Sequence, residues 1–292
     1  MFTYEFCHAK SIEDVCRFRK EYGSKGCLVA GGTDVMVQIK EKSRRWAEIE
    51  CMMDLTSLDK ELRYIREEGD CVKVGALSTH TDIAESEIIK KYAPFFGQAS
   101  DSVGSPQIRN RGTIGGSICN ASPAADPLTP LVALEANVEI AGLNGTREVP
   151  LVDLYVGRGK LGLGEDEFVT AFIFKKPEEG SLMYFQKLGR RKALAISRLN
   201  TSALLHLDAE GKIDKARIAP GCIFATPLRV VEAEEILLGK VPSEELFEEA
   251  GREVSRIMIE KTGYRWSTEY KQPAAEAVVS AALCNACGIE MA

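Results

Sequence analysis

Two glycine pairs about eighty residues apart constrain this chain more than any other feature of its sequence. The first pair, Gly31–Gly32, follows a short apolar run that ends at Ala30, and the second, Gly115–Gly116, follows Thr113-Ile114. Two consecutive glycines allow positive φ values and leave no Cβ to obstruct a close approach to the backbone. Both segments are therefore candidates for ligand-binding turns.

The first segment, Leu28 to Val35, has the order apolar strand, glycine turn and helix start. A nucleotide pyrophosphate needs several backbone N–H donors converging on it, and Gly31 and Gly32 would allow that approach. Thr33 could add a hydroxyl donor. Asp34 is better interpreted as a cap on the next helix, since a carboxylate facing phosphate would repel it. An ordinary strand-to-helix turn is the alternative interpretation.

The second segment, residues 112–126, surrounds its glycine pair with hydroxyl and amide side chains and ends at Asp126. This composition suits a polyhydroxy ligand such as a ribityl chain. The Asp126 carboxylate could accept hydrogen bonds from the hydroxyl groups of such a ligand. The segment belongs to an irregular stretch of more than twenty residues, which is uncommon in a compact domain without a function. A buried cluster of turns is the alternative.

A third glycine pattern, Gly157-x-Gly159-x-x-Gly162, has the glycine spacing of the dinucleotide fingerprint but not its structural context. That fingerprint requires a strand before it and a helix after it. Here the predicted strand Phe168 to Phe174 follows, so we interpret the pattern as a loop without a nucleotide-binding role.

Composition excludes several classes of function. With 37 Lys and Arg against 43 Asp and Glu, the net charge of −6 gives no cationic field for a nucleic acid. No run of about 18 apolar residues predicts a membrane span, and the N-terminus lacks the pattern of a signal peptide. The nine scattered cysteines fit reduced thiols, so a cytoplasmic protein is expected.

Metal and acid–base sites are not expected either. The chain has three histidines, and Cys284 with Cys287 is a lone CxxC pair, which we interpret as apolar helix residues rather than zinc ligands. His80, at the start of a predicted surface helix, is interpreted as a solvent-facing or capping residue. The motifs of triad hydrolases, P-loop proteins and EF-hands are absent from the sequence.

The order of secondary structure predicts an α/β unit first. A strand, the helix Ile12 to Tyr22, the strand Cys27 to Ala30, a second helix and the strand Cys51 to Leu55 fill the first 55 residues or so. Short strands and helices follow. After the polar segment 175–180 the pattern changes again to strands and then three amphipathic helices, ending with Pro273 to Cys287.

Four segments in this order along the chain carry a resemblance to a known family: the first glycine segment, Gly104-Ser105-Pro106-Gln107-Ile108-Arg109-Asn110, the second glycine segment, and Gln186 to Ala193. Through them the chain resembles the FAD-binding (medium) subunit of the molybdenum hydroxylases. This group includes xanthine, nicotinate and carbon monoxide dehydrogenases. The resemblance covers nearly the whole chain. It implies an α+β fold: a two-part FAD-binding domain of the vanillyl-alcohol-oxidase (PCMH) type at 1–176, with subdomains at about 1–55 and 56–176, and a C-terminal domain of the CO dehydrogenase flavoprotein type at 177–292.

The resemblance also implies which residues would contact FAD. The pyrophosphate and adenosine would be wrapped by the two glycine segments, with Gly104 and Asp126 adding contacts, and Val169 and Lys187 would lie near the flavin ring. Cys119 lies where an aliphatic residue often packs against the flavin. The full set is Leu28, Val29, Ala30, Gly31, Gly32, Thr33, Asp34, Val35, Gly104, Thr113, Ile114, Gly115, Gly116, Ser117, Asp126, Val169 and Lys187.

The implied activity is electron transfer within a xanthine dehydrogenase-type enzyme. The flavin would take single electrons from 2Fe–2S clusters on a small iron–sulfur subunit and pass a hydride to NAD+, while a large subunit would hold the molybdopterin. The chain would then need no catalytic acid or base of its own. The alternatives are the FAD subunit of a nicotinate, aldehyde or carbon monoxide dehydrogenase, a self-sufficient flavin oxidoreductase, or a scaffold that has lost flavin.

Overall fold

The computed structural model of the protein describes residues 3–41 and 44–291. Within that part of the chain, the helices and strands form three main sheets, each with its own set of packed helices. The first sheet is parallel, and its central strand is the last in sequence, since β3 pairs with both β1 and β2. Its elements are β1 (Glu5–His8), α1 (Ile12–Tyr22), β2 (Gly26–Val29), α2 (Val35–Lys40) and β3 (Cys51–Asp54).

Helix α1 begins where its sequence predicts. Ser11 is the N-cap, and its Oγ accepts a hydrogen bond from the Asp14 backbone N–H at 3.1 Å. Its buried side chains Val15, Cys16 and Phe18 pack beside the sheet with Met53. The predicted alternation of strand and helix over the first unit is thereby confirmed.

The second sheet has five strands in the order β4-β5-β10-β6-β7, and all its pairs are antiparallel. Six helices lie between β5 and β6 in sequence, and two of them, Pro106–Arg109 and Ile114–Cys119, fall in the stretch that the sequence predicts to be irregular. The elements of this unit are β4 (Ile65–Glu68), β5 (Cys71–Gly75), α4 (His80–Glu85), α5 (Glu87–Tyr92), α6 (Pro94–Asp101), α7 (Pro106–Arg109), α8 (Ile114–Cys119), α9 (Leu128–Ala133), β6 (Asn137–Gly142), β7 (Gly145–Pro150) and β10 (Phe168–Lys175), with the short α3 (Asp59–Leu62) before them.

The segment Gly157-x-Gly159-x-x-Gly162, which the sequence predicts to be a loop, forms a short hairpin. Strands β8 (Tyr155–Gly157) and β9 (Lys160–Leu161) pair with each other, and Gly159 takes a φ of +67° in the turn between them. The next regular element is the strand β10 rather than a helix. The prediction that this pattern lacks the strand-to-helix context of a dinucleotide fingerprint is therefore confirmed.

The last unit packs three helices on a three-stranded antiparallel sheet with the order β11-β12-β13. Its elements are β11 (Leu182–Gly189), β12 (Ser197–Leu207), β13 (Ile213–Gly221), α10 (Val231–Leu237), α11 (Glu244–Thr262) and α12 (Thr268–Cys287). The predicted strands and three helices are confirmed, although α12 starts five residues before Pro273. Cys284 and Cys287 lie one turn apart on α12, and Cys284 is fully buried in the apolar core of this unit.

Most of the buried apolar side chains belong to two large cores. One core lies under the five-stranded sheet, and the other lies between the last sheet and α10–α12. No helix in the described ranges is long and apolar enough to cross a membrane.

Candidate functional site

The first glycine pair lies in the turn between β2 and α2 and packs against the second glycine segment. A Cβ on Gly31 would lie 2.5 Å from the carbonyl carbon of Arg111 and closer still to its oxygen. Gly32 takes a φ of +72°, which a side chain would disfavour. Only glycine fits both positions, and the fit brings together two segments that are about eighty residues apart in sequence.

The turn leaves backbone donors open. Among the residues that the structure describes, the N–H groups of Gly31, Gly32 and Thr33 have no hydrogen-bond acceptor, and all three residues are only half-buried. Buried or half-buried N–H groups are normally paired, so three consecutive open donors mark a place where an anionic ligand oxygen would be accepted. This cradle fits the pyrophosphate of FAD.

Asp34 occupies the N-cap position of α2, as predicted, but its side chain does not cap the helix. Its backbone has helical angles (φ −89°, ψ −42°), and within the described chain its carboxylate accepts no hydrogen bond from the first turn of α2. The side chain instead reaches the second glycine segment, where Asp34 Oδ2 accepts from Asn120 Nδ2 at 2.9 Å. Gln38 Nε2 lies 3.5 Å from Asn120 Oδ1, so α2 and the end of α8 are joined by polar side chains.

The second glycine pair has a different role from the first. Thr113 is the N-cap of α8, and its Oγ1 accepts from Gly116 N at 3.1 Å. Ile114 N and Gly115 N donate to the carbonyl oxygens of Ser78 and Ala76, each at 2.9 Å. The N–H donors of this segment are therefore used inside the protein, in contrast to those of Gly31 to Thr33.

Gly115 is required by packing against the end of β5. A Cβ at Gly115 would lie 2.8 Å from both the Cβ and the carbonyl oxygen of Ala76. Gly116 is exposed and Ser117 is half-buried, so this side of α8 remains accessible. The accessible contacts that the segment could offer a ligand are the Gly116 backbone and the Ser117 side chain.

Gly104 lies in a left-handed turn between α6 and α7. Its φ is +46°, and the side chain of Ile108 packs directly over it. The Arg109 guanidinium clamps this turn by donating to the carbonyl oxygens of Val103 and Gly104 at 3.3 and 3.4 Å and by pairing with Asp101 at 3.1 Å. The turn is thus fixed before any ligand binds.

Asp126 is almost completely buried and is surrounded by donors. Lys187 Nζ lies 2.6 Å from Asp126 Oδ2, and Ser102 Oγ donates to the same oxygen at 3.3 Å. Ser197 Oγ and Asn200 Nδ2 donate to Asp126 Oδ1 at 2.5 and 2.8 Å. Both carboxylate oxygens therefore have protein partners, and a sugar hydroxyl would have to share them.

Three of those donors were missed by sequence reasoning. Ser102, Ser197 and Asn200 are separated from Asp126 by 24, 71 and 74 residues. Ser197 and Asn200 lie on β12, in the last unit, and the sequence carries no local signal that would identify them. Lys187 on β11 was expected near the flavin, and the structure brings it to Asp126.

Val169 and Cys119 occupy contrasting positions. Val169 lies at an irregularity in the pairing of β10 with β6, is buried, and belongs to the same core cluster as Ile114 and Ile118 of α8. Cys119 is exposed at the last position of α8, next to Asn120. Tyr155 holds α8 from the other side by donating its hydroxyl to the Ile118 carbonyl oxygen at 3.0 Å.

His80 is buried, so the prediction of a solvent-facing or capping residue is wrong. Thr79, not His80, caps α4 through a capping box with Asp82. Only 3% of His80 is exposed, and its ring lies under Gly112, where a Cβ would come within 3.1 Å of His80 Cδ2. Burial lowers the pKa of His80 to about 4, with a further contribution from the Arg109 charge.

The buried ring of His80 therefore remains neutral at physiological pH. In the described part of the molecule its Nδ1 has no hydrogen-bond partner. The His80 backbone N–H donates to Gly112 O at 3.0 Å, and the ring packs against Gly112, so His80 contacts the backbone next to the Arg111 carbonyl group on which Gly31 packs.

A metal centre is not suggested by the side chains of the described residues. No group of three or more His, Cys, Asp or Glu side chains lies together among them in a way that could hold a metal ion. No two cysteines within the described ranges form a disulfide.

Two family profiles match this chain. The family described as the FAD binding domain in molybdopterin dehydrogenase matches residues 2–176, and the CO dehydrogenase flavoprotein C-terminal domain matches residues 184–286. The chain is 36% identical to the nicotinate dehydrogenase FAD-subunit of Eubacterium barkeri, over 82% of this chain and 81% of that protein. It is 32% identical to the putative xanthine dehydrogenase FAD-binding subunit of Escherichia coli K12, over 89% and 90% of the two chains.

A solved structure is similar over the whole length. A chain of the carbon monoxide dehydrogenase of Hydrogenophaga pseudoflava that lacks the Mo-pyranopterin moiety of its cofactor superposes with a TM-score of 0.89. The sequences are 29% identical, and 98% of each chain is covered. The fold class implied by the sequence resemblance is confirmed.

Proposed function

Since the chain belongs to the family of FAD-binding subunits of molybdenum hydroxylases, we propose that it serves a xanthine dehydrogenase-type enzyme, carrying electrons from partner 2Fe–2S clusters through bound FAD to NAD+. The observation that carries this proposal is the row of open backbone donors at Gly31, Gly32 and Thr33 beside the second glycine segment. The chain is an oxidoreductase subunit that uses FAD, and its substrate and acceptor are the proposed part.

The proposed pyrophosphate site is the turn between β2 and α2. Its three open N–H donors would hold the phosphate oxygens, while the Asp34–Asn120 hydrogen bond keeps the turn next to α8. The proposed contacts in this turn are Leu28, Val29, Ala30, Gly31, Gly32, Thr33, Asp34 and Val35.

The second glycine segment on α8 is proposed to complete the pyrophosphate and adenosine side, and the flavin ring is proposed to lie beside Val169 and Lys187. Gly116 and Ser117 offer the accessible edge of α8, and Asp126 with Lys187 offers a fixed charged pair. FAD, when bound, supplies the conversion between one-electron and two-electron transfer. The other proposed contacts are Gly104, Thr113, Ile114, Gly115 and Val169.

The role proposed for the protein is to bind and orient. Asp126 is held by four donors and Lys187 by two acceptors, the Asp126 carboxylate and the Ser102 carbonyl oxygen at 2.9 Å. A charged pair fixed in this way cannot reorient during electron transfer, which keeps the electrostatic environment of the site constant. We assign no catalytic acid or base to this chain.

We further propose a division at residue 176, with the FAD-binding domain at 1–176 and the C-terminal domain at 177–292. The gap between β10, which ends at Lys175, and β11, which starts at Leu182, supports this boundary. A large molybdopterin subunit and a small iron–sulfur subunit are the proposed partners, in the cytoplasm. The scattered spacing of the nine cysteines, none of which forms a disulfide in the described ranges, supports that location.

A nicotinate-hydroxylating complex is the second candidate. The E. barkeri nicotinate dehydrogenase FAD-subunit is 36% identical to this chain, against 32% for the E. coli xanthine-type relative, although the match covers less of the chain. The choice between them depends on the large subunit, where the molybdenum would meet the substrate.

The test is to isolate the chain with its native partners and assay the complex. FAD in the chain, molybdenum and iron in the partners, and NAD+ reduction by xanthine would support the proposal. Reduction by nicotinate instead would favour the second candidate. A chain that cannot be loaded with FAD, or that is reduced by a small substrate without partners, would contradict the subunit role.

A further inference from the structure

Three segments of the chain that are far apart in sequence carry mostly positive charge. Together the segments 157–160, 189–198 and 264–271 hold eight basic residues and one acidic residue, whereas the whole chain has a net charge of −6. Such a local excess of positive charge on an acidic protein is a feature of surfaces that bind anionic partners.

The segments meet around Lys271. Lys271 Nζ donates to the carbonyl oxygen of Cys222 at 2.5 Å, and the Cys222 thiol lies 3.5 Å from the carbonyl oxygen of Ser197. Arg198 follows Ser197 directly. Burial lowers the pKa of Lys271, the Cys222 thiol opposes this shift, and the nearby positive charges of Arg265, Arg158 and Arg198 lower the pKa further.

The positive charge of this region is not compensated within the protein. Neither Arg158 nor Arg198 makes a hydrogen bond or ion pair with any residue that the structure describes. Within the described chain, the guanidinium of Arg265 donates only to the backbone oxygen of Thr262, at 3.0 Å. Like charges held close together without acidic partners cost free energy that an acidic partner would recover.

Large apolar side chains are exposed in the same segments. Trp266 is 93% exposed, Ile196 80%, Tyr264 68% and Tyr270 55%. Trp, Tyr and Arg are the residues that contribute most to binding at protein–protein interfaces. Exposed aromatic and aliphatic side chains beside unpaired arginines are a combination that protein partners bury at interfaces.

The surface borders the proposed flavin side of the site. Ser197, whose carbonyl oxygen contacts Cys222, donates its hydroxyl to Asp126, the partner of Lys187. A subunit that delivers electrons to FAD must approach the flavin closely. A docking surface next to Asp126 and Lys187 meets that requirement.

We propose that the basic aromatic surface, formed by Arg158, Ile196, Arg198, Arg265, Trp266 and Tyr270, docks an acidic face of the electron-donating iron–sulfur subunit. This inference rests on the proposed function. Trp266 would be the apolar anchor, and the guanidinium groups would pair with carboxylates of the partner.

The experiment measures binding of the native small iron–sulfur subunit to the FAD-loaded chain at low and high salt. Trp266→Ala is expected to weaken binding about thirtyfold, as for an interface hot spot. Arg158→Glu is expected to weaken it about tenfold, with a smaller loss at high salt because the charges are screened. Arg252→Glu is the matched control, since Arg252 is exposed on α11 and pairs only with Glu248. It should bind like the wild type.

The FAD absorbance of each variant shows whether the fold and the flavin site are intact. Unchanged affinity of Trp266→Ala and Arg158→Glu for the iron–sulfur subunit would overturn the inference while leaving the proposed function standing. The inference would also be overturned if these variants bound the iron–sulfur subunit normally but bound NAD+ more weakly. That result would identify this surface as the binding site of the electron acceptor. A wild-type chain that holds FAD but binds no iron–sulfur subunit would refute the proposed function and the inference together.

Discussion

Lys187 Nζ lies 2.6 Å from Asp126 Oδ2, and this ion pair joins strand β11 of the last unit to the glycine-rich segment of the preceding one. Their side chains are 16% and 7% exposed, so the pair is largely removed from water. A buried charge that loses its partner is strongly destabilising. The pair therefore stabilises the contact between these two segments, and it is also a proposed part of the flavin site.

Asp126→Asn should lower the free energy of unfolding by about 3 kcal/mol, because it leaves the Lys187 ammonium without its carboxylate. Urea unfolding measures this loss. The double variant Asp126→Asn/Lys187→Met should lose less than the sum of the two single variants. Lys212→Met, which removes an exposed ion pair with Glu210, is the control and should cost under about 1 kcal/mol. Additive losses would show that the buried pair is not coupled.

Gly31→Ala should weaken FAD binding by about tenfold or more, because its Cβ cannot fit against the Arg111 carbonyl group without moving the cradle of open N–H donors. Titration of the apo-chain with FAD, followed by flavin fluorescence, gives the affinity. Gly157→Ala is the control, since a Cβ there meets open space and its φ is not positive. Equal FAD affinity for both variants would contradict the proposed pyrophosphate site.

His80 should make the fold sensitive to acid. Its pKa is about 4 in the fold against 6.5 for an unperturbed histidine, so the unfolded chain binds a proton that the folded chain does not. The stabilisation is complete above pH 6.5 and is lost as the pH falls towards 4, by about 3 kcal/mol in all. Urea unfolding at several pH values should therefore give a flatter pH dependence for His80→Gln. The exposed His8, replaced by Gln, is the control, and a slope unchanged by His80→Gln would rule out this role.

Asn120→Ala should weaken FAD binding by about threefold while leaving stability nearly unchanged. The exposed Asn120 amide joins α8 to Asp34 beside the cradle, so its loss affects the relative position of the two glycine segments more than the core. Flavin titration and thermal unfolding separate the two effects. Asn110→Ala, which removes an exposed hydrogen bond to Thr81, provides the comparison. A large loss of stability with normal FAD affinity would be the opposite of the expected result.

The sequence predicts the parts of the fold that depend on local signals. Capping by Ser11, the positive φ of Gly32 and the strand after Gly162 all follow from residues within a few positions of each other. The first glycine pair forms the predicted turn open to close approach, whereas the second lies within helix α8 rather than in a turn. The sequence could not predict that the first of them packs on the Arg111 carbonyl group.

Features that depend on tertiary contacts were beyond the reach of sequence patterns. Ser197 and Asn200 become partners of Asp126 only because β12 packs against the glycine-rich segment. His80 follows a good helix cap and looks like a surface residue, but the chain at Gly112 covers it. Asp34 has the identity of a cap, yet Asn120 competes successfully for its carboxylate.

The position of β10 has a consequence for how the protein is made. This strand is the last of its sheet in sequence but lies at its centre, pairing with β5 through Ala171 and Gly75 and with β6 through Phe172 and Val138. A nascent chain that has not yet emerged as far as Phe168 would hold two separate hairpins with unpaired inner edges, which are prone to wrong pairing. This sheet can therefore close only after the ribosome has delivered the chain through the end of β10 at Lys175, and chaperone binding is expected to be strongest just before that point.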